Sequence, residues 1–548
     1  MRNLLRLSLV LFLAAPLLRA QDHSEPSDEM AASIVAREHE VARNLEKYHP
    51  IVETYVQVMN SHKEEPVISY DRHFVSLAEF SGGLRALRFR SKHLELWRQI
   101  SDYSDTVRPT TVGFNPSGFV AMAYPDPSTF DLRHYRFEYL NREFLGEVRC
   151  LVFQVSPAAR RKQGLFEGRI WVEEQNFTIV RFDGIYDGSN FYSKYFHFDS
   201  WRIEAAPGRW FPATIYSQEM NIPCCGIGKF NWSKVRLQAQ TRFWGYDLHL
   251  PEDEQEFTRI VFEPLHPVDD SYASSNETGP SGKQQTWEQQ AEGNVDEQLE
   301  RIGLLSPTGD VDKTLEAIVN NIEVANDLSI EPGVHCRVLL TSNLESAVVG
   351  HTIILSRGLI DVLPDEGTLA AVLAHDLALM TLDDRSFTKF SWADEMRFGA
   401  RDVLRTLRFV PSEKQRAQAT SLAQEWMSNS PYRNSLAFVA AFVAELHSQS
   451  PHIRQLLQAS IGDSVYDTLG AAKLPADSLT ANEATTLHAL PLGSRTELDP
   501  LTNKLTMRGA EESERSSKAA DLPFAVTPVF LYLRSASQGD QEARYRPN

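Results

Sequence analysis

Apolar and polar positions repeat with two different periods along this chain, and the change of period divides it. Ile34, Val41, Leu45 and Tyr48 recur at spacings that keep one helical face apolar, which predicts a helix over 29–59. From about residue 66 the period shortens. The run Val148-Arg149-Cys150-Leu151-Val152-Phe153-Gln154-Val155 is β-branched and aromatic and reads as a strand. Arg169–Val172 and Phe177–Phe182 are two more such runs, joined by Glu173-Glu174-Gln175-Asn176, a polar connection of hairpin length. Further strand-like runs occupy 195–203, 211–220 and 229–246. One helix followed by a long meander predicts an α+β domain over 28–265, with a curved antiparallel half-barrel sheet.

The character then changes. Asp269-Asp270-Ser271, Gly279-Pro280-Ser281-Gly282 and the Gln-rich stretch after them cannot bury a core, so 266–298 reads as a disordered linker. Beyond it the period is mostly helical. Helices are expected over 312–327, 414–428 and 433–448, and strands over 334–340 and 352–355. Asp365 is placed to cap a helix that carries Leu369, Val372, Leu373 and Leu377 on its apolar stripe. Residues 299–470 thus read as a mainly helical domain with a small sheet. Residues 471–548 read as an irregular extension, charged over 511–518 and strand-like over 523–533.

A chain of 548 residues with 42% hydrophobic content exceeds one core, in keeping with two domains. The formal charge of −18 repels phosphates, which excludes nucleic acid and anionic lipid as expected partners. Arg2 and Arg6, the apolar run Leu7–Leu18 and the small residue Ala20 have the grammar of a cleaved signal peptide over 1–20. That run falls short of the roughly 20 residues that span a bilayer. An exported protein of the cell envelope is expected, periplasmic or extracellular, peripheral to a membrane rather than integral. Of the four cysteines, Cys150 reads as a small buried hydrophobe; Cys224 and Cys225 are adjacent and ill placed to bond each other; Cys336 stands apart. Their pairing stays open.

The segment Phe166-Glu167-Gly168-Arg169-Ile170-Trp171-Val172, with Phe177-Thr178-Ile179-Val180-Arg181, resembles the LolA-like lipoprotein-carrier superfamily. The resemblance implies a half-open β-barrel over a helix that holds acyl chains in its concavity. Read from the residues alone, the same aromatic positions serve as plain core.

A second resemblance lies further on. Ile353-Ile354-Leu355-Ser356-Arg357-Gly358-Leu359-Ile360-Asp361, then Leu369-Ala370-Ala371-Val372-Leu373-Ala374-His375-Asp376-Leu377-Ala378-Leu379, resembles peptidase family forty-eight of the metallo class, the zincin-like group of CAAX prenyl proteases, HtpX and BepA. In that HEXXH family two histidines four apart hold zinc from one helix face, and the Glu after the first is general base. A Glu on a later helix completes the ligand set. Carried over, His375 is the first ligand, Asp376 stands at the general-base position, and Leu379 and Gln418 occupy the remaining two ligand positions. Thr420 falls on a supporting Asp. A hydrocarbon cannot bind zinc, and a neutral amide binds it weakly. The resemblance therefore implies a degenerate metallopeptidase domain, a pseudoenzyme from which zinc is absent. Asp383, Asp384 and Asp394 follow His375 and could supply oxygen ligands; a solvated acidic turn is the competing reading.

Three functions stay open: a non-catalytic factor that binds a peptide or envelope protein; an active zinc metalloendopeptidase with an altered site, using His375 and Asp376; and lipid or lipoprotein binding by the first domain, with an acyl chain as partner.

Overall fold

The computed structural model describes residues 26–60, 67–80, 83–86, 116–158, 164–186, 197–224, 233–246, 292–293, 295–382, 407–469, 496–507 and 533. The signal-peptide expectation, most of the linker, Cys225 and the three aspartates at 383, 384 and 394 lie outside these residues.

The first half is helix α1 (Pro26–Leu45) and ten strands: β1 (Ile51–Asn60), β2 (Val67–Glu79), β3 (Gly83–Ala86), β4 (Tyr135–Leu145), β5 (Val148–Pro157), β6 (Phe166–Glu173), β7 (Ile179–Tyr186), β8 (His197–Ala206), β9 (Arg209–Cys224) and β10 (Ser233–Trp244). A short helix α2 (Pro116–Val120) and a 3-10 turn (Ala121–Ala123) precede β4. The strands form one antiparallel sheet in the order β3-β2-β1-β10-β9-β8-β7-β6-β5-β4, with β3 and β4 at its edges, so the sheet does not close. The α+β expectation holds. The single helix over 29–59 does not: it ends at Leu45, and 51–60 is strand. The run Ile51-Val52-Glu53-Thr54-Tyr55-Val56 is β-branched and alternates between two differently occupied faces, which tertiary pairing with β2 and β10 makes extended.

Both faces of the sheet are covered at β5, so this strand looks almost continuously apolar rather than alternating. In β5, Leu151, Phe153 and Val155 join the cluster beneath α1, while Val148, Cys150 and Val152 join a separate one on the other side. The face under α1 is called inner here, and the opposite face outer.

The second half contains α3 (Asp310–Ala325), β11 (His335–Leu339), β12 (Glu345–Val349), β13 (Thr352–Ser356), α4 (Arg357–Val362), α5 (Glu366–Leu382), α6 (Glu413–Asn429), α7 (Leu436–Gln449), β14 (Asp463–Ser464) and α8 (Val465–Leu469). A small sheet runs β11-β13-β12-β14, with β11 parallel to β13. Asp365 caps α5, accepting from the Thr368 N–H at 2.8 Å. Strands β12 and β14 and the short helices α4 and α8 are elements that the sequence reading passed over. Residues 295–302 are helical, and Val295, Leu299 and Ile302 are buried, so packed structure begins inside the stretch read as linker. A β15–β16 hairpin (Thr496–Leu498, Leu505–Met507) lies within the region read as irregular.

The two halves share one apolar core. Ile51, Tyr55, Met59, Val75 and Trp244, on the outer face, belong to the same cluster as Leu299, Leu340, Leu344 and Leu456.

Candidate functional site

The inner face is the most extensive apolar feature of the first half. Alternate residues of its strands bring Phe153, Phe166, Phe182, Phe198, Phe211 and Phe243 to one side of the sheet, with Tyr186 and Tyr246. The rings pack edge-on or stacked: Tyr186 on Phe198 at 5.4 Å, Phe211 on Tyr246 at 4.8 Å. Gly168 and Gly184 face each other across β6 and β7, and a Cβ on either would come within 3 Å of the Phe166 ring. The glycine pair makes room for that ring. Burial pushes the Tyr186 and Tyr246 hydroxyls well above the usual tyrosine range.

Helix α1 lies over this face through Ile34, Val41 and Leu45, with Phe119 and Met122 beside it. Its attachments are also polar. Arg37 donates to Thr178 Oγ1 at 3.1 Å and to the Gly208 carbonyl at 2.7 Å, and His39 Nε2 to the Phe130 carbonyl at 2.9 Å. The central tie is Glu38 with Arg202, whose guanidinium is 0% exposed. Both guanidinium amino groups reach the carboxylate, at 2.8 and 2.5 Å, and they also donate to the Ile179 and Ala123 carbonyls. A buried pair of this kind contributes little net stability while intact, yet costs about 3–5 kcal/mol when one partner is removed.

The cover is incomplete at the β4 edge. Tyr139 packs edge-on against Phe153 of the inner cluster, yet is 42% exposed; Leu140 is 43% and Phe144 67% exposed. Through Tyr139 the apolar inner face reaches β4, whose other edge is unpaired among the described residues.

On the outer face, acidic side chains of β1 and β2 grip the second half. Glu53 accepts from the Ser342 N–H and Oγ–H, both at 2.6 Å, and from His73 Nε2 at 2.8 Å. Burial raises its pKa, but His73, the Arg242 charge and Ser342 outweigh burial and hold it below the usual carboxylate range. Asp71 accepts from the Gln455 and Leu456 N–H groups at 2.9–3.0 Å. Burial is the largest influence on it and leaves its pKa raised despite those donors.

The residues carried over from the metallopeptidase pattern lie in the second half, and the structure does not gather them into a cleft. His375 is 1% exposed on α5, with neither ring nitrogen hydrogen-bonded among the described residues. Asp376 is also buried and accepts from Ser346 Oγ at 3.1 Å, tying α5 to β12. Leu379 packs in the core. Gln418 is exposed on α6, whereas its neighbours Ala419 and Thr420 turn inward, Thr420 donating to the Arg416 carbonyl. Among the described residues no three His, Cys, Asp or Glu side chains converge as metal ligands. One imidazole, a carboxylate engaged by serine, a hydrocarbon and an outward amide do not fit a tetrahedral zinc ion. No described helix is long and apolar enough to cross a membrane. Cys150 is buried, as its sequence context suggests, and burial pushes its thiol up to about 12.

No known family profile matches the chain, and no curated protein does. Among solved structures the chain is similar to a DUF1329 family protein from Desulfovibrio piger, at 12% identity and TM-score 0.20, over 43% of this chain and 99% of that one. It is also similar to a LolA superfamily protein from Nitrosomonas europaea, at 12% identity and TM-score 0.20, over 41% of this chain and 96% of that one. The metallopeptidase resemblance rests on its own residues.

Glu38, Arg202, Glu53 and Asp71 were not singled out from the sequence. The available signal was a lone charge inside an apolar strand, as in Ile51-Val52-Glu53-Thr54-Tyr55 and Ser200-Trp201-Arg202-Ile203. A charge there must find a partner or cost several kcal/mol.

Proposed function

We propose that this chain binds an apolar, acyl-bearing ligand, a lipid or a lipoprotein, and that the acyl chain lies against the inner face of the ten-stranded sheet. One observation carries the reading: through Tyr139, edge-on against Phe153 and 42% exposed, the apolar inner face reaches strand β4, whose other edge is unpaired among the described residues and which also exposes Leu140 and Phe144. Exposed apolar residues continuous with a buried aromatic surface favour an entering hydrocarbon and disfavour water. Helix α1 serves as the cover, and the Glu38–Arg202 pair as its pin. The second half has a supporting, non-catalytic role. It grips the outer face at β1, β2 and β10 and, among the described residues, meets the inner cluster through Leu501, and its carried-over positions hold a poor donor set for zinc.

The test uses the full chain, delipidated, and a fluorescent fatty acid. Wild-type protein binds the probe, and Phe144→Asp with Tyr139→Asp weakens binding tenfold or more, since burying one aromatic ring against a ligand is worth about 1.5–3 kcal/mol. Wild-type protein that neither binds the probe nor carries extractable acyl chains when freshly purified overturns the proposal.

A further inference from the structure

The outer face carries a second apolar surface, distant in the sheet from the one gripped by the second half. Trp171, Arg181 and Trp201 face one another across β6, β7 and β8 in register. The Arg181 guanidinium sits 4.2 Å from one indole and 4.5 Å from the other, held by Asp199 through two hydrogen bonds. Trp210, Val148, Cys150, Val152 and Val180 complete the surface. Three tryptophans on the outer side of a sheet need a cover. Among the described residues, the one member of this cluster that does not come from the sheet is Leu533, 1% exposed, from the far C-terminal part of the chain.

Three further features fit an extended peptide at this place. The Leu533 carbonyl accepts from the Glu147 N–H at 2.9 Å, a backbone bond that any sequence could make. Gly146, at φ +66°, approaches so closely that a Cβ there would come within 2.5 Å of the Leu533 carbonyl oxygen, so the turn is shaped to admit a second backbone. The indole N–H of Trp210 is buried with no acceptor among the described residues, and an incoming backbone carbonyl would supply one. The sequence that leads into Leu533, Pro523-Phe524-Ala525-Val526-Thr527-Pro528-Val529-Phe530-Leu531-Tyr532, is apolar and β-prone and follows a charged stretch.

We propose that the tryptophan face is a docking site for an extended apolar peptide, and that its resident occupant is this chain's own C-terminal segment, anchored through Leu533. The face selects an apolar side chain at the place of Leu533, buried in one cluster with Trp171 and Trp210, and a backbone free to pair with the Gly146–Glu147 turn. This inference is independent of the acyl-ligand reading, which concerns the other side of the sheet.

The test is binding of a fluorescein-labelled peptide with the sequence of residues 523–536 to the full chain, read by anisotropy. Wild-type protein, its face already filled, binds the peptide at least tenfold more weakly than Leu533→Asp, in which the internal anchor is expelled. Adding Gly146→Val to Leu533→Asp abolishes the gain. Hydrogen exchange on the same proteins supplies a second readout: the Glu147 amide is protected in wild type and exchanges at least tenfold faster in Leu533→Asp and in the milder Leu533→Ala. Equal peptide binding to wild type and Leu533→Asp overturns the proposal. So does a Glu147 amide whose exchange is unchanged in Leu533→Ala.

Discussion

Glu53 and Ser342 are 289 positions apart in sequence and joined by two hydrogen bonds of 2.6 Å, one from the Ser342 amide and one from its hydroxyl. The carboxylate comes from near the start of β1 and the serine from the loop between β11 and β12, so this contact fixes one half of the molecule on the other. His73 donates a hydrogen bond to the carboxylate and the Arg242 guanidinium supplies positive charge within a buried site.

Removing that carboxylate leaves buried donors on Ser342 without an acceptor. Glu53→Ala is expected to lower stability by about 2–4 kcal/mol, the cost of orphaned buried donors plus a broken charge-assisted contact. Urea denaturation followed by circular dichroism measures it. Ser342→Ala, which removes only the hydroxyl, costs less, about 1 kcal/mol. A Glu53→Ala loss no larger than that of Ser342→Ala refutes the clamp. The depressed pKa gives the pH direction. Glu53 binds its proton less readily folded than unfolded, so its contribution is present above the ordinary glutamate range and fades as pH falls through its folded pKa.

Substitution of His375 separates a metal ligand from a core side chain. On the present reading His375→Ala changes zinc content per chain by nothing measurable, as read by mass spectrometry of the intact protein and of its metals. It still destabilises by about 1–3 kcal/mol, because it opens a cavity in the core of α5. Stoichiometric zinc in wild type that is lost in His375→Ala would restore the metallopeptidase reading.

Asp296 provides a second pH prediction with the opposite sign. Burial raises its carboxyl to about 6, against partial compensation from Arg337. Its folded pKa lies above the ordinary aspartate value, so the folded state holds the proton more tightly. Its contribution to stability is full below the unfolded pKa near 4 and is lost as pH rises through 6. Asp296→Asn is expected to remove that slope and to stabilise the protein at pH 8 by about 1–2 kcal/mol, given one proton bound over this span and partial solvent screening. Melting temperatures of both proteins between pH 4.5 and 8 check it; parallel profiles refute it.

Local order was readable wherever one residue's neighbours in sequence are also its neighbours in space. The start of the helix before the meander, the hairpin at 166–186, the Asp365 cap and the helices over 310–325 and 413–429 all follow from period and turn chemistry within a few residues. The same locality explains the failure at 51–60, where helical spacing over four apolar residues ran on into a segment that pairing with β2 and β10 makes a strand.

What the sequence by itself determined is therefore an α+β chain with an antiparallel sheet first and helices after, and an apolar helix at 366–382. What only the tertiary structure decided is which face of the sheet each partner takes: α1 on one side, the second half and Leu533 on the other. A β-strand displays its two sides through alternate residues. When both sides are buried the alternation vanishes from the sequence, and with it any sign of what covers which. The pairings Glu38 with Arg202 and Glu53 with Ser342 join residues 164 and 289 positions apart. Nothing local to either residue names its partner, because the chain must fold before the two can meet.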